Sequence, residues 1–203
     1  MFQKYFDRIV EFATGDDLPE VEKAKKDYFK LTGEVNEEDK SFEIRLAGFL
    51  DWYIFDRPLD GIRKTPAQAF YDSLDSSSPE NEREIYEGFL STIHSIFQIE
   101  KFIASGVHIR DLFTKKRYFV EERRSIGFSE SDIMEARLVF LNGGYYFTEA
   151  LYAYPREAWK FIKGEIKKYR REGKSVSGLI PRLSQANLKF ERYHGIDIKE
   201  IFK

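Results

Sequence analysis

The chain has 203 residues with 33 Lys and Arg against 35 Asp and Glu, and a formal net charge of −2 excludes a chain-wide footprint for nucleic acid or membrane, so any such surface is local. An apolar fraction of 42% beside 33% charged residues is that of a folded globular protein, not a disordered one. Cysteine is absent, which excludes disulfides, thiol nucleophiles and thiolate zinc sites, while 19 Phe, 12 Tyr and 2 Trp supply rings for a sizeable core.

The opening stretch, MFQKYFDRIVEF, mixes charges into its apolar residues and lacks the unbroken run of a signal peptide. No apolar run approaches the roughly 18 residues of a membrane span, so a cytoplasmic protein with no membrane partner is expected. Phe2, Tyr5, Phe6, Ile9, Val10 and Ala13 recur at helical spacing and predict a first helix, ended by Gly15-Asp16-Asp17. Pro19 sits where a second helix begins; Val21, Ala24, Tyr28 and Leu31 form its apolar stripe, Lys23, Lys25, Lys26 and Lys30 its solvated face, and Gly33 its stop.

Asn36-Glu37-Glu38-Asp39 reads as the start signal of a helix over 37–55. In its second half Phe49, Leu50, Trp52, Tyr53, Ile54 and Phe55 cover nearly the whole circumference, the pattern of a helix buried on most sides. Pro58 closes it. Asp51 and Asp56 point about 140° apart on such a helix, which does not suit one shared proton or metal. Asp51 is expected to face a solvent gap or an arginine, and Asp56 to join Arg57 in fixing the helix exit. Thr65-Pro66 opens a short helix through Leu74. DSSSPENE at 75–82 is a loop, leading to a helix that holds Ile85, Phe89, Leu90, Ile93 and Phe97.

From about 96 to 154 the period shifts towards two. FQIEKFIA, VHIRDLF, RYFVEE, IMEARLVFL and YYFTEALYAY are rich in aromatic and β-branched residues, and turn chemistry separates them, including Asn142-Gly143. They predict a five-stranded antiparallel meander, a highly curved sheet or small barrel. Pro155 opens a helix with Ala158, Phe161, Ile162 and Ile166 buried, and Gly173 ends it. A further helix lies within 178–192, marked by Leu179, Leu183, Ala186 and Phe190, and IDIKEIFK docks as a strand or short helix. The fold class is α+β: a helical N-terminal region (1–95), the β meander (96–154) and C-terminal helices (155–203), with one continuous core.

Chemical signatures are sparse. His94, His108 and His194 are far apart in sequence and show no metal-ligand spacing, and no serine sits in a nucleophile elbow. Gly173-Lys174-Ser175 resembles the end of a P-loop, but Lys168 stands where a glycine is needed and a helix precedes it. No catalytic residue, metal or cofactor is indicated. Two basic clusters remain: Lys115, Lys116 and Arg117 with Arg123 and Arg124, and Lys167, Lys168, Arg170 and Arg171 with Lys174. Glu121, Glu122, Glu165 and Glu172 adjoin them and favour a solvated charged face. A polyanion site on a curved sheet with exposed rings is the alternative.

FLDWYIFDRPLDG with TPAQAF, and VHIRDLFTKKRYFVEE followed by DIMEARLVFLNGGYYFTEALYAYP, resemble a loosely defined group of uncharacterised bacterial proteins. In that group a Trp-aromatic-x-Phe-Asp helix precedes a β meander, and some members look linked to a cysteine-rich SEC-C metal module. The resemblance covers about residues 40–160 and implies a bacterial source and halves that belong together. Lacking cysteine, this chain does not carry the metal module. The expected function is a non-enzymatic binding or regulatory module recognising a protein partner or small ligand through the β half. Nucleic-acid binding through the two basic clusters is second, and an unrecognised hydrolase or transferase third.

Overall fold

The computed structural model describes residues 2–15, 18–74, 80–121, 127–193 and 196–202. Five helices come first: α1 (Phe2–Thr14), α2 (Leu18–Thr32), α3 (Phe42–Phe55), α4 (Pro66–Ser73) and α5 (Glu80–Gly88). The glycine at 33 adopts φ +99° and stops α2 as expected. Thr65 accepts from the Gln68 N–H while the Gln68 side chain accepts from the Thr65 N–H, a capping box that fixes the start of α4.

Several expectations in this half are corrected, among them that 75–82 is all loop, since the fifth helix already begins at Glu80. Leu31 is 54% exposed, and Ala24, Phe29 and Thr32 are the buried residues of α2. The third helix starts at Phe42, not 37, because Asn36 and Asp39 close a turn on each other: the Asn36 N–H donates to the Asp39 carboxylate, and the Glu38 N–H donates to Asn36 Oδ1. Ile93 and Phe97 are not helical. The fifth helix ends at Gly88, where a Cβ would stand 2.1 Å from the Phe140 carbonyl oxygen, and the chain enters a strand.

The β half comprises β1 (Ile93–Ile103), β2 (Gly106–Asp111), β3 (Arg117–Val120), β4 (Ile133–Leu141), β5 (Gly144–Phe147) and the short β6 (Tyr152–Ala153). Asn142 and Gly143 take φ of 49° and 82°, the two positive angles that the Asn-Gly hairpin signal requires. Neighbours run β1-β2-β3-β5-β4, and β1 pairs β4 again. The sheet is therefore a closed five-stranded ring with β6 added outside it. All pairings are antiparallel except β3 with β5, so the strands do not form a simple meander. Long β1 serves both neighbours, pairing β4 through residues 93–98 and β2 through 97–103, with a register shift between Ile99 and Lys101 that lets it bend.

Alternation decides what faces where. Phe97, Ile99, Val107, Ile109, Val120, Met134, Ala136, Leu138 and Phe147 fill the barrel. On the outside of the β1–β4 wall, Ile96 and Ile133 pack under the C-terminal helices α6 (Trp159–Arg171), α7 (Ile180–Arg192) and α8 (Ile198–Ile201). Val139 and Leu141 pack under the N-terminal helices. The β4 strand is thus covered on both sides and buried almost throughout. Among the described residues no helix packs on the outside of β2 and β3 in this way.

Two buried arginines join these layers. Arg137 projects from β4 beneath the end of α3. It donates from Nη1 to Asp56 Oδ1 (3.2 Å) and to Thr92 Oγ1 (2.7 Å), pairs through Nη2 with Asp56 Oδ2, lies 3.8 Å through Nε from Asp51 Oδ2, and stacks its guanidinium 5.0 Å from the Phe55 ring centre. Asp51 accepts from the Thr148 hydroxyl at 2.6 Å. The two helical carboxylates therefore meet through one guanidinium that spans the gap between them. Asp51 faces an arginine as expected, whereas Asp56 does not fix the helix exit with Arg57, which pairs instead with Glu20 and Asp60. The second arginine, Arg45, ties α2, α3, β6 and α7 together.

Candidate nucleic-acid interface

The uncovered outer face of β2 and β3 is built by register. Partner residues in an antiparallel ladder point the same way, so the pairs His108↔Phe119 and Arg110↔Arg117 stand outward while Ile109↔Tyr118 and Val107↔Val120 point into the barrel. Strand β1 extends both rows, with Lys101 opposite His108 and Gln98 opposite Arg110. The His108 and Phe119 rings pack with centres 5.1 Å apart and planes tilted by 45°. Phe119 lies against Gly106: a Cβ there would stand 2.8 Å from Phe119 Cζ and 2.1 Å from the Val120 carbonyl oxygen. Gly106→Ala is accordingly expected to destabilise the barrel by about 1–3 kcal/mol, read by urea denaturation, because the clash is with backbone.

Glu100, extruded by the β1 register shift, sits 3.4 Å from Arg110 Nε and 3.0 Å from Arg117 Nε. It pairs with both guanidiniums and offsets one of their two charges. With Lys101 the patch keeps a net positive charge next to its two rings.

The turn from β2 to β3 brings a further cation. Asp111, 1% exposed, accepts from the Ser95 hydroxyl (2.8 Å), the Phe113 N–H (2.7 Å), the Thr114 N–H (3.2 Å) and the Thr114 hydroxyl (2.6 Å). Its carboxylate is thereby spent on shaping the turn. Lys115 follows at φ 70°. Leu112 is buried in one apolar cluster with Ile162, Ile166 and Tyr169 of α6, and Phe113 packs against that cluster, so the turn is docked on this helix. Partial burial pushes the Lys115 amine below its ordinary 10.5, and the nearby cations Arg170, Arg110 and Lys163 push it further down, against a smaller upward pull from Asp111.

The two basic clusters that the sequence keeps 50 residues apart therefore meet, but not with all their members. Docking of the turn on α6 brings Lys115 within range of the Arg170 charge, and Lys116 and Arg117 flank the same turn. Lys168 instead lies 3.9 Å from Glu165, and Lys174 pairs with Glu172 at 2.7 Å over the Tyr169 ring. Arg171 is exposed. Arg123 and Arg124 lie outside the described residues. Lys101, Arg110 and Lys163 belong to the surface but to neither cluster. Strand alternation on β1 and β2 and a helical wheel on α6 carry that signal; counting basic blocks does not.

Elsewhere, His94 Nε2 sits 3.0 Å from Glu135 Oε1, whose other oxygen accepts from the Tyr154 hydroxyl at 2.9 Å. His194 lies outside the described residues. Among the described residues no three His, Asp or Glu stand together as a metal site, and no helix is long and apolar enough to cross a membrane. A cleft of about 730 Å³ between α1 and α4 is lined by Phe12, Phe70, Leu59 and Ile62, with Glu20 and Asp60 at its rim committed to Arg57 and Lys23. No curated protein and no solved structure matches the chain. Residues 9–199 match the model of a family of unknown function, DUF7986, and the chain belongs to that family.

Proposed function

We propose that this protein is a non-enzymatic binding module whose β half takes single-stranded nucleic acid across the outer face of β2 and β3. The observation that carries the reading is the packed ring pair His108 and Phe119, set among Lys101, Arg110 and Arg117 on a barrel wall that none of the described helices covers. Rings accept the face of any base, and the cations neutralise the phosphates between them, so binding tolerates sequence. The closed five-stranded ring resembles the OB-fold, whose ligands lie across strands 2 and 3 and the loops joining strands 1–2 and 4–5. That likeness of architecture supports the location; the side chains supply the chemistry.

Fluorescence anisotropy with labelled single-stranded oligonucleotides tests it. Micromolar or tighter binding at low salt is expected, with log K falling linearly against log salt. Phe119→Ala is expected to weaken binding by about 1–3 kcal/mol, the worth of one stacked base, with the thermal melt confirming that the variant is folded. Absence of binding at low salt, or binding indifferent to both Phe119→Ala and the Arg110→Glu/Arg117→Glu pair, overturns the reading.

A further inference from the structure

A charge asymmetry outside the barrel face lies on α6. Lys163, Lys167 and Arg170 fall at i, i+4 and i+7, within about 60° of one another around the helix. All three are exposed. The acid of this helix points elsewhere: Glu165 is turned to α7, where Arg182 Nη1 reaches it at 3.3 Å, and it also holds Lys168. Among the described residues Lys163, Lys167, Arg170 and Lys115 form no ion pair with a carboxylate. The sequence places acids beside these cations, and the fold removes them.

This stripe does not stand alone. The Asp111-shaped turn, docked on Ile162, Ile166 and Tyr169 through Leu112 and Phe113, carries Lys115 to where it feels the charges of Arg170 and Lys163 on the helix and of Arg110 on the barrel. Lys115 at the turn thus links Arg110 on the barrel, beside Arg117, to Lys163 and Arg170 on the helix, with Lys167 on the same stripe. Like charges gathered this way repel, and a row of phosphates laid along them relieves the repulsion while releasing condensed counterions.

We propose that α6 is a second, purely electrostatic segment of the nucleic-acid site: the strand leaves the aromatic face of the barrel, crosses the β2–β3 turn at Lys115 and continues along Lys163, Lys167 and Arg170. The inference rests on the barrel-face reading and adds to it a direction, a length and a division of labour. The barrel holds bases, and the stripe of Lys163, Lys167 and Arg170 holds phosphates.

The test compares the full chain with Lys163→Glu/Lys167→Glu/Arg170→Glu, using oligothymidylates of about six and about twenty nucleotides, the shorter one being enough for a single small barrel. The wild type is expected to bind the longer probe at least tenfold more tightly. In the triple variant the longer probe drops to the affinity of the shorter, and its salt slope falls by about 2, from three lost contacts at roughly 0.7 each. The neutral variant Lys163→Gln/Lys167→Gln/Arg170→Gln gives an intermediate loss and guards against an effect of charge reversal alone. Phe119→Ala, in contrast, weakens both probes equally. Equal affinity for both lengths in the wild type, or a triple variant that binds like wild type, overturns the helical track and leaves the barrel face standing. Binding of neither probe removes both.

Discussion

Replacing Arg137 by Met is expected to lower stability by about 3–5 kcal/mol at pH 8, the cost of removing one partner from a buried ion pair. Arg137 is 2% exposed and Asp51 5%, so the methionine fills the volume but leaves a carboxylate without its counter-charge. Burial already pushes the Asp51 carboxyl up from 3.8 to about 6, although Arg137, the Thr148 hydroxyl and His94 all pull it down. A folded pKa above the unfolded one means that the folded chain holds this proton more tightly. On this group's account stability therefore rises as pH falls from about 6 towards 4, and the gain is absent above 6. Without Arg137 the carboxyl moves higher still, and protonation relieves the damage over a wider range. The loss in Arg137→Met is expected to be clearly smaller at pH 5 than at pH 8, measured by urea denaturation. Asp51→Asn should flatten that difference and recover part of the stability of Arg137→Met. A variant with the same loss at both pH values would show that Asp51 is not the group left stranded.

That arginine also marks where reading the sequence stops. In IMEARLVFL the alternation correctly sends Met134, Ala136 and Leu138 to one side and Glu135 and Arg137 to the other. On an ordinary half-solvated strand the polar side faces water. Here α3, more than 80 residues earlier, closes over it, and no local pattern announces a helix arriving from so far away. The α+β architecture, the Asn142-Gly143 hairpin, the Gly33 and Gly173 stops and the Thr65 cap were legible because each depends on a few neighbouring residues. Ile93 and Phe97 were misread for a related reason. Ile85, Phe89, Ile93 and Phe97 satisfy a spacing of four, while Ile93, Ser95, Phe97 and Ile99 satisfy a spacing of two. Pairing of 93–98 with β4, a long-range event, decides in favour of the strand. The basic surface failed in the opposite sense. The two cationic blocks were visible, but sorting Lys163, Lys167 and Arg170 from Lys168 and Lys174 takes knowledge of which side of α6 meets the β2–β3 turn.

Arg45→Ala is expected to bring a loss of similar size and a change in how the molecule unfolds. Arg45 is 3% exposed and, among the described residues, has no carboxylate in direct contact. Its Nε donates to Ser41 Oγ (2.8 Å); Nη1 donates to Ser184 Oγ (3.0 Å) and Thr32 O (3.5 Å); Nη2 donates to Ser184 O (3.0 Å) and the Tyr152 hydroxyl, with the Tyr152 ring centre 4.9 Å away. The charge is balanced at one remove. The Ser41 hydroxyl donates to Glu191 at 2.6 Å, and Thr32 ends α2, so its carbonyl lies at the negative pole of that helix. Removing the side chain strands several buried acceptors at roughly 1–3 kcal/mol each, partly relieved by water, for a net loss of about 3–4 kcal/mol. Arg45→Lys keeps the charge but reaches fewer of the acceptors, and about half that loss is expected. Because the partners lie on α2, α3, β6 and α7, Arg45 clamps the N-terminal helices to the C-terminal ones. The two tryptophans report the halves separately, Trp52 from α3 and Trp159 from the start of α6. In single-tryptophan chains (Trp159→Phe or Trp52→Phe) the two fluorescence transitions in urea should coincide when Arg45 is present and separate in Arg45→Ala, the half that loses its clamp melting first. Transitions that stay superimposed in the variant would place the cooperativity in the shared barrel wall of β1 and β4 instead.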